Sequence, residues 1–244
     1  MRGEIILKTA YVTGADRGLG LALSKVLVSK GYHVFAGSYM PDWHELKGFQ
    51  KEHPKNLTIL PLDVTDEDSV KNAAKQINTD VGSLDILINN AAIFADPSGD
   101  IFGEFDYDTI RRHYETNTLG PLRVTHSVVP LVIRSEQKLI VNISSEAGSI
   151  GDCWRTKEYG YSMSKAALNM QGAILQNHLK EFGVKVFLFH PGFLRSYIFG
   201  DGKINERGTE EPLDSAKGII EQILTPRSLD KPTYIDYQGK ELPW

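Results

Sequence analysis

Cysteine is almost missing from this chain of 244 residues, and its single thiol, Cys153, excludes an intrachain disulfide or a zinc cage built from thiolates. No apolar run approaches the ~20 residues that a membrane-crossing helix needs. The early Ile5-Ile6-Leu7 is too short for the core of a signal peptide. A reducing, cytoplasmic setting without a membrane partner is therefore expected. Surplus positive charge is lacking too: the formal net charge is −4, and the lysines and arginines are scattered, so a nucleic-acid footprint is not expected. The seven histidines show no ligand spacing, and no metal is expected. What is present, 41% hydrophobic and 24% charged residues, suits one α/β domain over residues 1–244 with a large core and a small-molecule partner.

Short β-branched or apolar runs alternate with longer amphipathic segments. The pattern predicts an open, doubly wound parallel sheet with helices on both faces. Seven strands are expected near 8–13, 33–37, 57–62, 84–89, 138–144, 184–190 and 232–236. Helices are expected near 18–29, 42–51, 66–78, 107–133, 161–182 and 213–224. Gly31, Gly82 and Gly183 fall where helices should close, and Asp66 and Ser69 suit a helix start. Residues 192–211, rich in glycine and charge, read as a loop that serves the substrate. In such a sheet the ligand lies beyond the carboxyl ends of the strands, and each chemically loaded stretch follows one.

After the first strand comes Thr13-Gly14-Ala15-Asp16-Arg17-Gly18-Leu19-Gly20. Its glycines let the backbone approach a pyrophosphate, and the helix behind it offers free N–H groups. The spacing is Gly-x-x-x-Gly-x-Gly, and Leu21-Ala22 exclude a P-loop, which requires Lys-Ser/Thr there. Further on, Tyr161 is alone among ten tyrosines in having a lysine, Lys165, at i+4. On a helix these share a face, so the ammonium can favour the phenolate of a residue that ordinarily titrates near ~10.

Together these residues resemble the short-chain dehydrogenases/reductases. Thr13 to Gly20 is similar to that family's cofactor turn, Asn89-Asn90-Ala91-Ala92 to its Asn-Asn-Ala-Gly segment, Tyr161 to Lys165 to its catalytic pair, and Pro191-Gly192 to its nicotinamide-side loop. The ending from Tyr237 to Trp244, with Ser164 to Met170, resembles the C-factor and Sniffer-type carbonyl reductase branch. The resemblance implies a Rossmann-type fold and a catalytic set of Asn117, Ser145, Tyr161 and Lys165. Tyr161 would exchange the proton, Ser145 would hold the carbonyl oxygen, Lys165 would bind the nicotinamide ribose and lower the phenol's pKa, and Asn117 would hold a relay water. Ser144 and Ser145 point to opposite faces of a strand, and the family pattern selects Ser145. Asn117 could equally be an ordinary helix-interrupting asparagine.

The resemblance implies cofactor contacts from Gly14, Asp16, Arg17, Gly18, Leu19, Gly20, Ser38, Tyr39, Asp63, Val64, Asn90, Ala91, Pro191, Gly192 and Ser196, besides Tyr161 and Lys165. Asp63 has a helix-capping role as its competing reading. Ala92 stands where the family has glycine. Ser38-Tyr39 replace the acid that would bind an adenosine ribose and repel a 2′-phosphate, while Arg17 could meet that phosphate, so NADP(H) is expected over NAD(H); Arg17 as a solvated turn residue competes. Around the reaction point the expected loop residues are Phe94, Asp96, Cys153, Trp154, Tyr159, Phe193 and Tyr197, with Arg155 as a possible anion contact. The expected activity is hydride transfer between NADP(H) and a small carbonyl or alcohol. An NAD-dependent alcohol or sugar dehydrogenase, or a dinucleotide-binding redox sensor with little turnover, are its rivals. A homodimer or homotetramer through the long helices is expected.

Overall fold

The computed structural model describes residues 8–40, 42–95, 99, 101–199 and 202–244. Asp96, one of the expected substrate-side residues, lies outside the described residues. Seven parallel strands, β1 (Thr9–Val12), β2 (His33–Ser38), β3 (Leu57–Pro61), β4 (Ile86–Asn89), β5 (Leu139–Ile143), β6 (Lys185–His190) and β7 (Thr233–Asp236), form one sheet. Their order is β3-β2-β1-β4-β5-β6-β7. The main helices are α1 (Gly18–Ser29), α2 (His44–Glu52), α3 (Glu67–Asp80), α4 (Tyr107–Tyr114), α5 (Gly120–Arg134), α6 (Tyr159–Leu179) and α7 (Pro212–Leu224). This is the doubly wound Rossmann-type arrangement. The chain order reverses between β1 and β4, which opens the ligand crevice there.

Alternation along each strand builds the two layers. Ala10 and Val12 of β1, with Val34 and Ala36 of β2, join a core that also contains Leu23 and Leu27 of α1 and Ile219 and Ile220 of α7. Between them in sequence, Tyr11 and Phe35 face the other way, into a core with Val70 and Ile77 of α3 and Val124 and Val128 of α5. The central strand β5 reads Leu-Ile-Val-Asn-Ile and is buried throughout, as a parallel strand covered on both faces must be. Helix ends follow local chemistry. The Asp66 carboxylate accepts from the N–H groups of Asp68 and Ser69 to start α3, while Gly31, Gly82 and Gly183 adopt positive φ of 84°, 69° and 77° where three helices close.

The helix expected over 107–133 is broken. A π-helical turn, Glu115–Leu119, separates α4 from α5. Pro121 stands at the N-terminus of α5 and has no N–H. An α-helix would pair that N–H with the Asn117 carbonyl, so this carbonyl has no α-helical donor at position 121. The interruption widens the backbone at Asn117 itself, where a side chain can turn toward the crevice.

Candidate active site

The first wall of the crevice is the turn after β1. Gly14 and Gly18 have φ of 64° and 55°. A Cβ on Gly14 would meet the Ala91 Cα at 2.9 Å, and one on Gly20 would strike the Gly14 carbonyl. Helix α1 starts without a side-chain cap and without an acid in its first turn, so its leading N–H groups are left for an external acceptor. Asn90 ties this turn to β4: its amide donates to the carbonyls of Thr13 and Gly14 at 2.9 and 3.0 Å. The Thr13 hydroxyl accepts from the N–H groups of Asn90 and Ala91, both at 3.0 Å. Ala92 is absent from the positive-φ residues, so its methyl group costs the backbone nothing. A cradle without side chains, with unsatisfied donors at its floor, fits a nucleotide pyrophosphate.

The second wall is built by β5 and α6. Lys165 is 2% exposed, and its Nζ donates to the Ile143 carbonyl at the end of β5 at 2.8 Å. One turn earlier on the helix, the Tyr161 ring centroid lies 5.6 Å from that Nζ. Ser145 caps the short 3-10 turn Glu146–Gly148, and its hydroxyl is near enough to the Tyr161 phenol to favour the phenolate. Ser144 is engaged by a different residue of α6, donating to Asn169 Oδ1 at 2.6 Å. Gly148 lets this turn lie against α6, where a Cβ would meet the Lys165 backbone at 2.8 Å. Phe94 stands edge-on to Tyr161 at 4.7 Å, and Phe199 edge-on to Phe94 at 5.3 Å. Asn117 is fully buried. Its Oδ1 accepts from the Ile93 N–H at 2.9 Å, and its Nδ2 faces the Ile93 carbonyl and the Ser164 hydroxyl at 3.0 and 3.1 Å.

The matches to known proteins follow this geometry. The family model for short chain dehydrogenase matches residues 8–206. An uncharacterized oxidoreductase of Schizosaccharomyces pombe is 36% identical over 97% of this chain and 98% of its own length. An NADPH-bound carbonyl reductase from chicken fatty liver superposes with a TM-score of 0.86 at 29% identity, covering 98% of this chain and 100% of that one. The carbonyl reductase Sniffer of D. melanogaster gives a TM-score of 0.86 at 25% identity over 98% and 100% of the two chains. The chain belongs to the short-chain dehydrogenase family. It is an NAD(P)-dependent oxidoreductase by family, close in fold to the carbonyl reductases.

Several side chains of this short-chain dehydrogenase behave in ways that motif spacing did not reveal. Asp16 reaches the end of β2, where it accepts from the Ser38 hydroxyl at 2.5 Å and from the Tyr39 and Met40 N–H groups at 3.1 and 3.0 Å. A carboxylate thus occupies the place that the sequence around Ser38 seemed to leave free of acid. Arg17 projects elsewhere, its guanidinium carbon 4.5 Å from the Trp43 ring and 4.9 Å from that of Tyr197. Asp63 is not the cap of α3. One of its oxygens holds Thr65 through N–H and hydroxyl, while Asp63 itself lines a cleft of about 380 Å³ with Ser38, Tyr39, Leu62 and Lys47. Val64 is buried in the core against Gly120, where a Cβ would meet Val64 Cγ2 at 2.8 Å. Lys47, a basic residue on α2, was missed because nothing in its neighbourhood forms a motif.

On the opposite side, Ser196 bends back over the glycine turn, so that a Cβ on Gly18 would run into its hydroxyl. The Pro191 carbonyl accepts from Ser215 at 2.7 Å, and Gly192 has φ 88°. Tyr197, expected at the reaction point, packs on Arg17 instead, and Tyr159 packs on Phe105 at 5.1 Å. Trp154 is 72% exposed and Cys153 is a free, exposed thiol. Arg155 is not an available anion contact: it is paired with Glu146 at 2.7 Å and Glu158 at 2.9 Å. Glu158 holds φ 63°, a conformation costly for a non-glycine residue, immediately before α6 begins.

Enclosure dominates the electrostatics. Burial pushes the Tyr161 phenol up to about 12, against the lowering pull of the Ser145 hydroxyl and the Arg155 charge. Burial also brings the Lys165 ammonium down to about 7. The expected lowering of the phenol by Lys165 is therefore not the net result, because the same enclosure withholds charge from the amine. Between pH 7 and 10.5 the folded chain holds less of the Lys165 proton than the unfolded chain does. Its burial penalty is thus full below about pH 7 and fades as pH rises toward 10.5. Lys165→Met should accordingly gain stability relative to the wild type most at pH 6 to 7, the advantage shrinking by pH 10. Urea titrations across that range measure it, and a pH-independent difference would contradict the buried ammonium.

Proposed function

We propose that this chain reduces small, uncharged aldehydes or ketones with NADPH, reversibly, using Tyr161 as the acid. The observation that carries the reading is the meeting of the Tyr161 phenol, the Ser145 hydroxyl and the Lys165 amine beyond the carboxyl end of β5, across the crevice from the glycine turn. A bound nicotinamide would supply the hydride. Ser145 holds the carbonyl oxygen within reach of Tyr161, which keeps its proton at neutral pH and can therefore donate it. Lys165, fixed on Ile143, would hold the ribose of a bound nicotinamide nucleotide and return a proton to the phenol. The Asn117 amide is committed to Ile93 and Ser164. The relay water therefore belongs on its main-chain carbonyl, whose α-helical partner Pro121 takes away.

The adenosine would lie in the cleft of Ser38, Tyr39, Asp63 and Lys47. For a 2′-phosphate, Arg17 supplies the charge: its Nη1 is buried and has no hydrogen-bond partner among the described residues, and Lys47 lines the neighbouring cleft. The structural relative described as NADPH-bound supports the same reading. The NAD-dependent rival draws on the Asp16 carboxylate beside Ser38, which could accept from free ribose hydroxyls. Its charge is already answered by three donors, which favours NADPH. Arg155, neutralised by two glutamates, offers no anchor for an acidic substrate, and this favours uncharged carbonyls.

We also assign self-association to the outer face of α5 and α6, where Leu122, Met163, Met170 and Ile174 are exposed on the long helices. Among the described residues no helix is long and apolar enough to cross a membrane.

Three measurements test these readings. Tyr161→Phe should bind NADPH as the wild type does and lose turnover on a panel of aldehydes and ketones by about 10²-fold or more; near-normal rates would remove Tyr161 from its role, and a wild type that binds NADPH without turnover would favour the sensor. Arg17→Ala should weaken NADPH well beyond its effect on NADH, and equal losses would return Arg17 to a turn residue. Met170→Glu should shift the sedimentation of the wild-type assembly toward monomer, and an unchanged assembly would move the interface elsewhere.

A further inference from the structure

The Arg17 guanidinium is held by two rings from distant parts of the chain. Trp43 precedes α2 and donates its indole N–H to Glu45 at 3.2 Å. Tyr197 belongs to the loop after β6. The rings touch each other edge to face at 5.3 Å, and the arginine carbon lies 4.5 and 4.9 Å from them. Stacking of this kind uses the face of the guanidinium and leaves its in-plane N–H groups for an acceptor. Its neighbour in the turn, Asp16, accepts from Ser38, Tyr39 and Met40. Nη1 is buried and has no hydrogen-bond partner among the described residues. A buried charged donor without an acceptor is unfavourable, and an anion beside the half-buried Arg17 would supply the acceptor that the two rings do not.

The loop that supplies Tyr197 also touches the reaction centre. Ser196 lies over Gly18, the Ile198 carbonyl accepts from the Phe94 N–H at 3.3 Å, and Phe199 packs on Phe94, which packs on Tyr161. Within four consecutive residues the loop spans the crevice from the arginine to the phenol.

We infer that Tyr197, with Trp43, is a specificity-determining residue for the coenzyme: it holds Arg17 in the orientation that receives a phosphate on the adenosine ribose, although it comes from the substrate loop. The inference rests on the NADPH reading above and adds to it a positioning residue on the opposite side of the crevice. Discrimination between the two coenzymes then depends on this loop lying closed over the glycine turn.

Equilibrium binding of NADPH and NADH to the substrate-free protein, measured by calorimetry, tests it without turnover. The 2′-phosphate is all that separates the two ligands, so their affinity ratio isolates it from other effects of the loop. Tyr197→Ala should lower the NADPH-to-NADH ratio by roughly threefold to thirtyfold, the range expected from one partly desolvated cation–π contact. Tyr197→Phe, which keeps the ring, should restore it. If Tyr197→Ala weakens both ligands equally, or neither, while Arg17→Ala abolishes the preference, the inference fails and the NADPH reading stands. If Arg17→Ala leaves the preference intact, both fail.

Discussion

The hydrogen bond from the buried Lys165 amine to the Ile143 carbonyl at the end of β5 fixes the geometry on which the rest of the crevice depends. It pins α6 to the carboxyl edge of the sheet at the level where the next residues, Ser144 and Ser145, leave the strand. Once that register is set, Tyr161 lies one helical turn away on the same face. Close approach is also needed between the 3-10 turn and α6, and between α6 and β6, where a Cβ on Gly172 would meet Leu188 at 2.9 Å. Satisfying the amine through one carbonyl leaves it poorly compensated. That is why burial dominates its proton affinity, and why the phenol beside it remains an acid at neutral pH.

The two walls of the crevice are electrostatically unlike. On the glycine side are the N–H groups that lead α1 and the Arg17 guanidinium, and the Asp16 carboxylate is engaged by three donors of its own. On the α6 side the walls are aromatic, Phe94 and Phe199, and the one arginine is cancelled by Glu146 and Glu158. An anionic nucleotide is matched by the first wall and an uncharged reacting group by the second. Such a division needs no metal or strong field, only the point at which the strand order reverses and the chain can supply both walls from consecutive loops.

Much of this was legible in the sequence, and the limits have physical causes. The strands could be read because parallel strands buried on both faces are short continuous apolar runs, as in Leu139–Ile143, and glycines with positive φ mark the helix ends. The gathering of Thr13 to Gly20, Asn90, Ser145, Tyr161 and Lys165 around one crevice follows from their each standing just after a strand or on the helix that follows it. The break at Asn117 was hidden, because a proline does not by itself mark one: Pro121 stands just after the π-helical turn, whereas α5 continues through Pro130. Side-chain direction was legible within a helix, as for Tyr161 and Lys165, but not in the loops. Asp16 and Arg17 are neighbours in one turn, yet one turns to β2 and the other to Trp43. No spacing rule separates them, because the choice is made by partners that the fold brings from elsewhere.

Tyr197 shows the same limit in a way that bears on chemistry. Read along the chain it is one more aromatic residue near the reaction point, where Phe94 and Phe199 do lie. In three dimensions the loop crosses the crevice, so neighbours in sequence, Tyr197 and Phe199, serve opposite ends of it. A residue that stacks on a nucleotide-side arginine while its neighbours cover a catalytic-side phenol cannot move without changing both contacts. The contacts of this loop therefore join two regions of the crevice, the arginine beside the glycine turn and Phe94 beside Tyr161. The aromatic ring at position 197 packs against the arginine and Trp43 across the crevice.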